Sequence, residues 1–248
     1  MPDADVISEG RRLLVRAEET GIPLRLLGGV AIKLRASGAL AQAFARNYAD
    51  IDFATKKKAS QRVSELFCGE GYSAQTEFNA LHGGHRLIFI DDENERQVDV
   101  FVGAFTMCHK ISFDGRLDVD PISIPLAELL LTKLQVVELN EKDVRDSLAL
   151  LHDHPVADED GDSVNAGRVA ELCAADWGLW RTITENLASC RALAVKYEMP
   201  DPGLLEERIS ALLDRIEEEP KTRAWKLRAK IGDRKRWYDI PEEVAGGP

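Results

Sequence analysis

The sequence predicts an α+β protein in two parts: a first domain of interleaved helices and strands, then a C-terminal helical bundle. Three observations carry this. Up to about residue 120, short apolar or alternating runs bounded by Gly, Pro and Asp are interleaved with helical periodicity. After residue 168 the apolar positions keep helical spacing alone. Between the two lies the acidic, aperiodic stretch HDHPVADEDGDSVNAG (152–167). The expected divisions are a domain over 1–152, an acidic linker over 153–167 and a helical domain over 168–248.

Asp5 to Thr20 reads as a helix, with Leu13, Leu14 and Ala17 among its apolar positions. Ile22 to Leu27 is a short apolar run ended by Gly28-Gly29, after which Val30 to Ala41 returns to helical composition. Asp50-Ile51-Asp52-Phe53-Ala54 alternates acid and apolar residue, so a strand there holds both carboxylates on one face. Ala59 to Glu70 reads as a helix, and Arg86–Ile90 and Gln97–Val102 as a hairpin across the polar turn DDENER. Asp114-Gly115 predicts a second hairpin, between His109–Phe113 and Arg116–Val119. Pro125 suits the first turn of a helix running through Leu139, and a further helix covers Glu141 to Leu151. Beyond the linker, Val169, Leu172, Cys173, Trp177, Trp180, Ile183 and Leu187 trace one helical face. Leu204, Leu205, Ile209, Leu212, Leu213 and Ile216 trace another.

Composition removes several function classes. No run approaches the roughly 18 apolar residues of a membrane span, and MPDADVISEG lacks the pattern of a secretory signal. Cys68, Cys108, Cys173 and Cys190 are widely spaced and form no CxxC pair, so reduced thiols in a cytoplasm are expected. Asp158-x-Asp160-x-Asp162 resembles the start of an EF-hand loop, but Ser163 and Val169 stand where Gly and Glu belong, which favours a solvated linker. The net charge of −11 argues against a nucleic-acid partner. Its distribution does not. Lys221 to Arg236 holds eight basic residues against one acid, Asp233, interleaved with Trp225 and followed by Trp237 and Tyr238. That tail either contacts nucleic acid or pairs with the acids just upstream, Glu206 to Glu219.

The chemistry concentrates on three carboxylates. Asp50 and Asp52 point the same way, and Asp99 stands alone among apolar residues in Val98-Asp99-Val100-Phe101, a costly place for a charge without compensation. If the two strands are neighbours, three acids converge, and a divalent cation such as Mg²⁺ or Mn²⁺ resolves their repulsion. Gly28-Gly29 lets the backbone approach a phosphate at the start of a helix whose free N–H groups favour anions. Lys133 sits on an otherwise apolar helix and needs an anion, or else snorkels to the surface. Asp143 and Asp146 share a helix face, and Asp143 equally suits a helix N-cap. His82 and His85 have no third ligand at a recognisable spacing. Lys56, Lys57 and Lys58 either meet a nucleic-acid acceptor or form a solvated helix start, and Arg86 is a further phosphate candidate.

Three stretches together, LLGGVAIKL (26–34), RNYADIDF (46–53) and VDVF (98–101), resemble the nucleotidyltransferase superfamily with the DNA polymerase β-type fold. Within it, LLTKLQ (130–135) and KDVRD (142–146) are most similar to the AbiEii branch of toxin nucleotidyltransferases. The resemblance covers roughly residues 20 to 152 and implies a mixed sheet flanked by helices. It implies that Gly28 and Gly29 hold the triphosphate of an NTP. Asp50, Asp52 and Asp99 would ligate Mg²⁺, with Asp99 taking the proton of the attacking hydroxyl. Arg46 matches the Arg of the branch's R-x-[ST]-x-D-x-D pattern, although Tyr48 replaces the small hydroxyl residue. Lys133 would contact the triphosphate and Asp143 would complete the site. The resemblance further implies an RNA acceptor such as tRNA, a toxin role and a separate antitoxin protein. Two rivals share these residues: a small-molecule nucleotidyltransferase of the antibiotic-modifying kind, and a non-catalytic nucleotide- or RNA-binding relative.

Overall fold

The computed structural model describes residues 1–35, 48–196 and 201–240. It is an α+β protein with a mixed five-stranded sheet and a C-terminal helical region, as the sequence predicts. Two compact units divide the chain. The first comprises Met1–Phe105 and Ser112–Pro125; the second comprises Thr106–Ile111 and Leu126–Pro248. The division at Pro125 differs from the expected linker at 153–167, because the helices after Pro125 pack with those of the C-terminal region.

In the first unit, α1 (Val6–Glu19) is capped by Asp5, whose carboxylate accepts from Ser8 N, and it buries Leu13 and Ala17. Glu9 is buried on the same face at 0% exposure. It accepts hydrogen bonds from Arg12 Nε, from the Tyr72 hydroxyl at 2.6 Å and from Asp3 N. Burial pushes its carboxyl up, but these donors outweigh that and hold it below the ordinary value. Next come β1 (Leu24–Leu27), α2 (Gly28–Arg35), β2 (Asp50–Thr55) and α3 (Ser60–Gly69). After these follow β3 (Ser73–Ala74), α4 (Thr76–His82), β4 (Arg86–Asp91) and β5 (Arg96–Val102). The sheet order is β1-β2-β5-β4-β3, with β2 and β5 parallel and the other neighbours antiparallel. Alternation gives the sheet two unlike faces. One presents Ile51, Phe53, Phe89, Val98 and Val100, all buried, with Phe67 of α3 stacked on Phe89 at 4.6 Å. The other carries the acids.

A small two-stranded sheet, β6 (Ala104–Thr106) and β7 (Lys110–Ser112), replaces the hairpin expected at Asp114-Gly115. Lys110–Ser112 pairs with the preceding strand rather than the following segment. Gly115, at φ +71°, instead lies in a run of turns over 114–118.

The second unit holds α5 (Leu126–Leu134), α6 (Glu141–Asp153), α7 (Ala166–Ala175), α8 (Trp177–Lys196), α9 (Pro202–Glu218) and α10 (Arg223–Ile231). The helix after Pro125 stops at Leu134, five residues short of expectation. Asn186 Nδ2 takes the carbonyls of Leu134 and Val136, and the Gln135 side chain accepts from His109 N, so tertiary partners take over where the helix ends. The segment expected to be a solvated linker is ordered in part: β8 (Val156–Ala157) and β9 (Val164–Asn165) pair in parallel, and Val164 is fully buried. Asn165 then caps α7 by accepting from Arg168 N.

Candidate functional site

The parallel register of β2 and β5 sets Asp52 directly opposite Asp99, and Asp50 opposite Gln97. The convergence expected of the two acidic strands is therefore present for this pair. Asp50 is exposed at the strand start, Asp52 half-buried and Asp99 buried at 3% exposure.

Gly28 completes the arrangement from β1, whose last residue, Leu27, pairs with Asp52. Its φ of +67° lies in the left-handed region, and a Cβ there would stand 2.0 Å from Asp52 Oδ2. The Gly-Gly pair is thus unequal. Gly28 is required by both conformation and space, whereas Gly29 lies in helical backbone within α2. The start of α2, with its free N–H groups, opens beside the Asp52 carboxylate.

Asp99 is compensated by two side chains of its own sheet, not anticipated from the sequence. Arg86 Nε donates to Asp99 Oδ1 at 2.8 Å, and Gln97 Nε2 donates to Oδ2 at 2.8 Å. Arg86 also lies 5.2 Å from the Phe101 ring centroid. A cation of the protein thus meets the charge that was expected to require a metal, and Arg86 holds a carboxylate rather than standing ready for a phosphate. Among the described residues, no group of three or more His, Cys, Asp or Glu side chains is placed to hold one metal ion. The all-oxygen chemistry of Asp50 and Asp52 suits Mg²⁺ or Mn²⁺. Asp99 joins that set only by sharing an oxygen already bonded to Arg86 or Gln97.

A signal for the clasp was present in the sequence. Closing the hairpin through Asp91 opposite Arg96 puts Ile88 opposite Asp99 and Arg86 one diagonal step away on the same face.

Lys133 and Asp143 lie in the second unit and form a cluster of their own. Lys133 Nζ stands 3.3 Å from Asp143 Oδ1 and 2.9 Å from Asp146 Oδ2, all three side chains being largely shielded. The anion that Lys133 was expected to need is this pair of acids on α6. Asp143 is not the helix cap: the Asn140 side chain accepts from Asp143 N, which leaves the Asp143 carboxylate to the lysine. Arg46 falls outside the described residues.

The weaker candidates resolve more simply. Lys56 Nζ pairs with Asp118 at 2.7 Å, His82 stacks on Phe78 at 4.7 Å, and His85 is exposed. In the acidic loop, Asp158 pairs with Arg215 and Asp162 with His154 Nδ1. Among the described residues, no helix is long and apolar enough to cross a membrane. No family model matches the chain, and no curated protein is similar enough to count as a relative.

Proposed function

We propose that the chain is a metal-dependent nucleotidyltransferase, moving an NMP group from an NTP to a hydroxyl of an RNA acceptor such as a tRNA. The observation that carries the reading is the pairing of Asp52 with Asp99 across parallel strands, with Gly28 pressed against Asp52 at the start of a helix. A phosphate-tolerant backbone beside paired carboxylates is the apparatus of phosphoryl transfer. Asp50 and Asp52 would hold Mg²⁺, which when bound neutralises the triphosphate and favours in-line displacement. The N–H groups at the start of α2 orient the phosphates, and Gly28 leaves room for the Asp52 carboxylate to lie beside them. The acceptor oxygen bonds to the α-phosphorus, pyrophosphate leaves, and the hydroxyl proton passes to Asp99. Each Asp99 oxygen accepts one hydrogen bond in this structure and keeps a lone pair for that proton. Arg86 holds the carboxylate in position. By its resemblance to the AbiEii branch, the protein would act as a growth-arresting toxin restrained by an antitoxin protein.

The test is incubation of purified protein with Mg²⁺, each labelled NTP, and either total RNA or aminoglycosides. Label on RNA that disappears in Asp52→Asn is the expected result. Label on the small molecule would replace the RNA acceptor. No transfer with any metal or NTP would overturn the enzyme reading.

A further inference from the structure

The basic tail was open to two readings, and the ion pairs of the second unit separate them. None of the eight cations from Lys221 to Arg236 pairs with a carboxylate among the described residues. Lys221 donates to the carbonyls of Ile216 and Glu217. Arg228 bonds the carbonyls of Gly232 and Lys235 and lies 4.6 Å from the Trp177 ring centroid. Arg234 caps the carbonyls of Lys230 and Ile231, and Arg236 lies over Tyr238. Three acids upstream have partners elsewhere: Glu206 on Arg191, and Glu217 on the Trp180 indole, with Glu219 just beyond the helix on Arg215. Even Asp233, the one acid of the segment, faces Arg181 of α8.

Helical geometry then sorts α10 into two faces. Trp225 and Arg228 turn inward, Trp225 meeting Trp180 edge-on at 5.2 Å and Arg228 meeting Trp177. Arg223, Lys226, Leu227 and Lys230, at i, i+3, i+4 and i+7, are all exposed and form one outward stripe. The usual amphipathic order is kept on the inner side, while the outer side sets the three cations beside a narrow apolar strip of Ala224, Leu227 and Ile231.

We propose that this outward face of α10, with Arg223, Lys226 and Lys230, docks the phosphate backbone of the RNA acceptor. The naming of RNA rests on the transferase reading; the polyanion surface rests on α10. An uncompensated row of cations on a protein of net charge −11 has no structural use for its charge, and its complement is a regular array of anions. A membrane surface fits poorly, because an interfacial helix buries a broad apolar face and α10 has turned its tryptophan into its own unit. A protein partner fits poorly too, since lysine is depleted from such interfaces.

The experiment is fluorescence anisotropy of the full chain with a labelled mixed-sequence single-stranded RNA across a salt series. Each phosphate contact contributes about −0.7 to the slope of log affinity against log salt. The triple variant Arg223→Gln, Lys226→Gln, Lys230→Gln therefore loses about 2 units of slope. Between about 50 and 200 mM salt, the native protein should weaken on the order of twentyfold more than the variant. The charge-keeping variant Lys226→Arg, Lys230→Arg should bind as the native protein does. Thermal melting checks that the exposed substitutions leave the fold intact. Equal affinity and slope in the triple variant would overturn the proposal. So would displacement of RNA by an equal charge of polyglutamate, or equally tight binding to phosphatidylglycerol vesicles. Asp52→Asn should keep full RNA affinity. If nothing is ever transferred yet binding follows the α10 cations, the transferase reading falls and the docking surface stands.

Discussion

Arg86 and Lys133 each neutralise shielded acid, yet on different scaffolds and in different proportion. Arg86 serves one carboxylate, Asp99, from a neighbouring strand, with Gln97 taking the second oxygen. Lys133 serves two carboxylates, Asp143 and Asp146, from a neighbouring helix. In the sheet, a fixed register brings the partners together, and Asp52 stands beside the compensated acid on the same face. In the helices, i, i+3 spacing on α6 makes both acids converge on one ammonium. A lone acid in a strand is therefore not by itself a metal ligand. What sets the first cluster apart is Asp52, with Gly28 pressed against it.

Removing each cation should separate the two clusters most clearly. Arg86→Leu leaves the buried Asp99 without a cation, with Gln97 its remaining donor, and should cost about 3–5 kcal/mol by denaturant unfolding. Lys133→Leu should cost less, about 1–3 kcal/mol, because its two acids remain partly wet. Equal costs would show that the two clusters are balanced alike. Asp52→Asn should lower transfer by about 10²–10³-fold while leaving the melting temperature unchanged. A loss of stability matching the loss of activity would make Asp52 structural instead. Gly28→Ala should cost about 1–2 kcal/mol for the left-handed backbone alone. It should also push Asp52 aside, so transfer falls, whereas Gly29→Ala should meet no backbone penalty in α2.

The smallest expected effect belongs to His109, in the second unit. Burial holds its imidazole below the ordinary 6.5, while Asp176 and Asp239 pull it partly back. The unfolded chain therefore binds the proton more readily than the folded one. Stability should be complete above about pH 6.5 and decline as pH falls below it towards the lower folded value. The melting temperature measured from pH 7.5 to 5.5 should show this decline in the native protein and a shallower one in His109→Gln.

Much of the fold was legible because local chemistry and tertiary structure agree. The acid-apolar alternation of Asp50 to Phe53 and the apolar run around Asp99 became neighbouring strands, and the Gly-Gly turn led into a helix as expected. The misses share a cause, which is that pairing partners lie outside any local window. Lys110–Ser112 chose Ala104–Thr106 over the segment after Asp114-Gly115. The helix from Leu126 stopped early because Asn186, some fifty residues on, takes the carbonyls of Leu134 and Val136. At the site, the residues were readable but their compensation was not. Glu9 on α1 shows the same limit: nothing near it in sequence announces the Tyr72 hydroxyl.

The parallel pairing of β2 with β5 sets a birth time for the site. Asp52 and Asp99 are roughly fifty residues apart in the chain yet meet side by side. At a synthesis rate of about 5–20 residues per second, Asp52 leaves the ribosome some seconds before its counterpart exists. Until β5 and its hairpin partner arrive, β2 has only β1 beside it, and the facing carboxylate is missing. Whatever chemistry the site performs is withheld until the central strand closes the sheet.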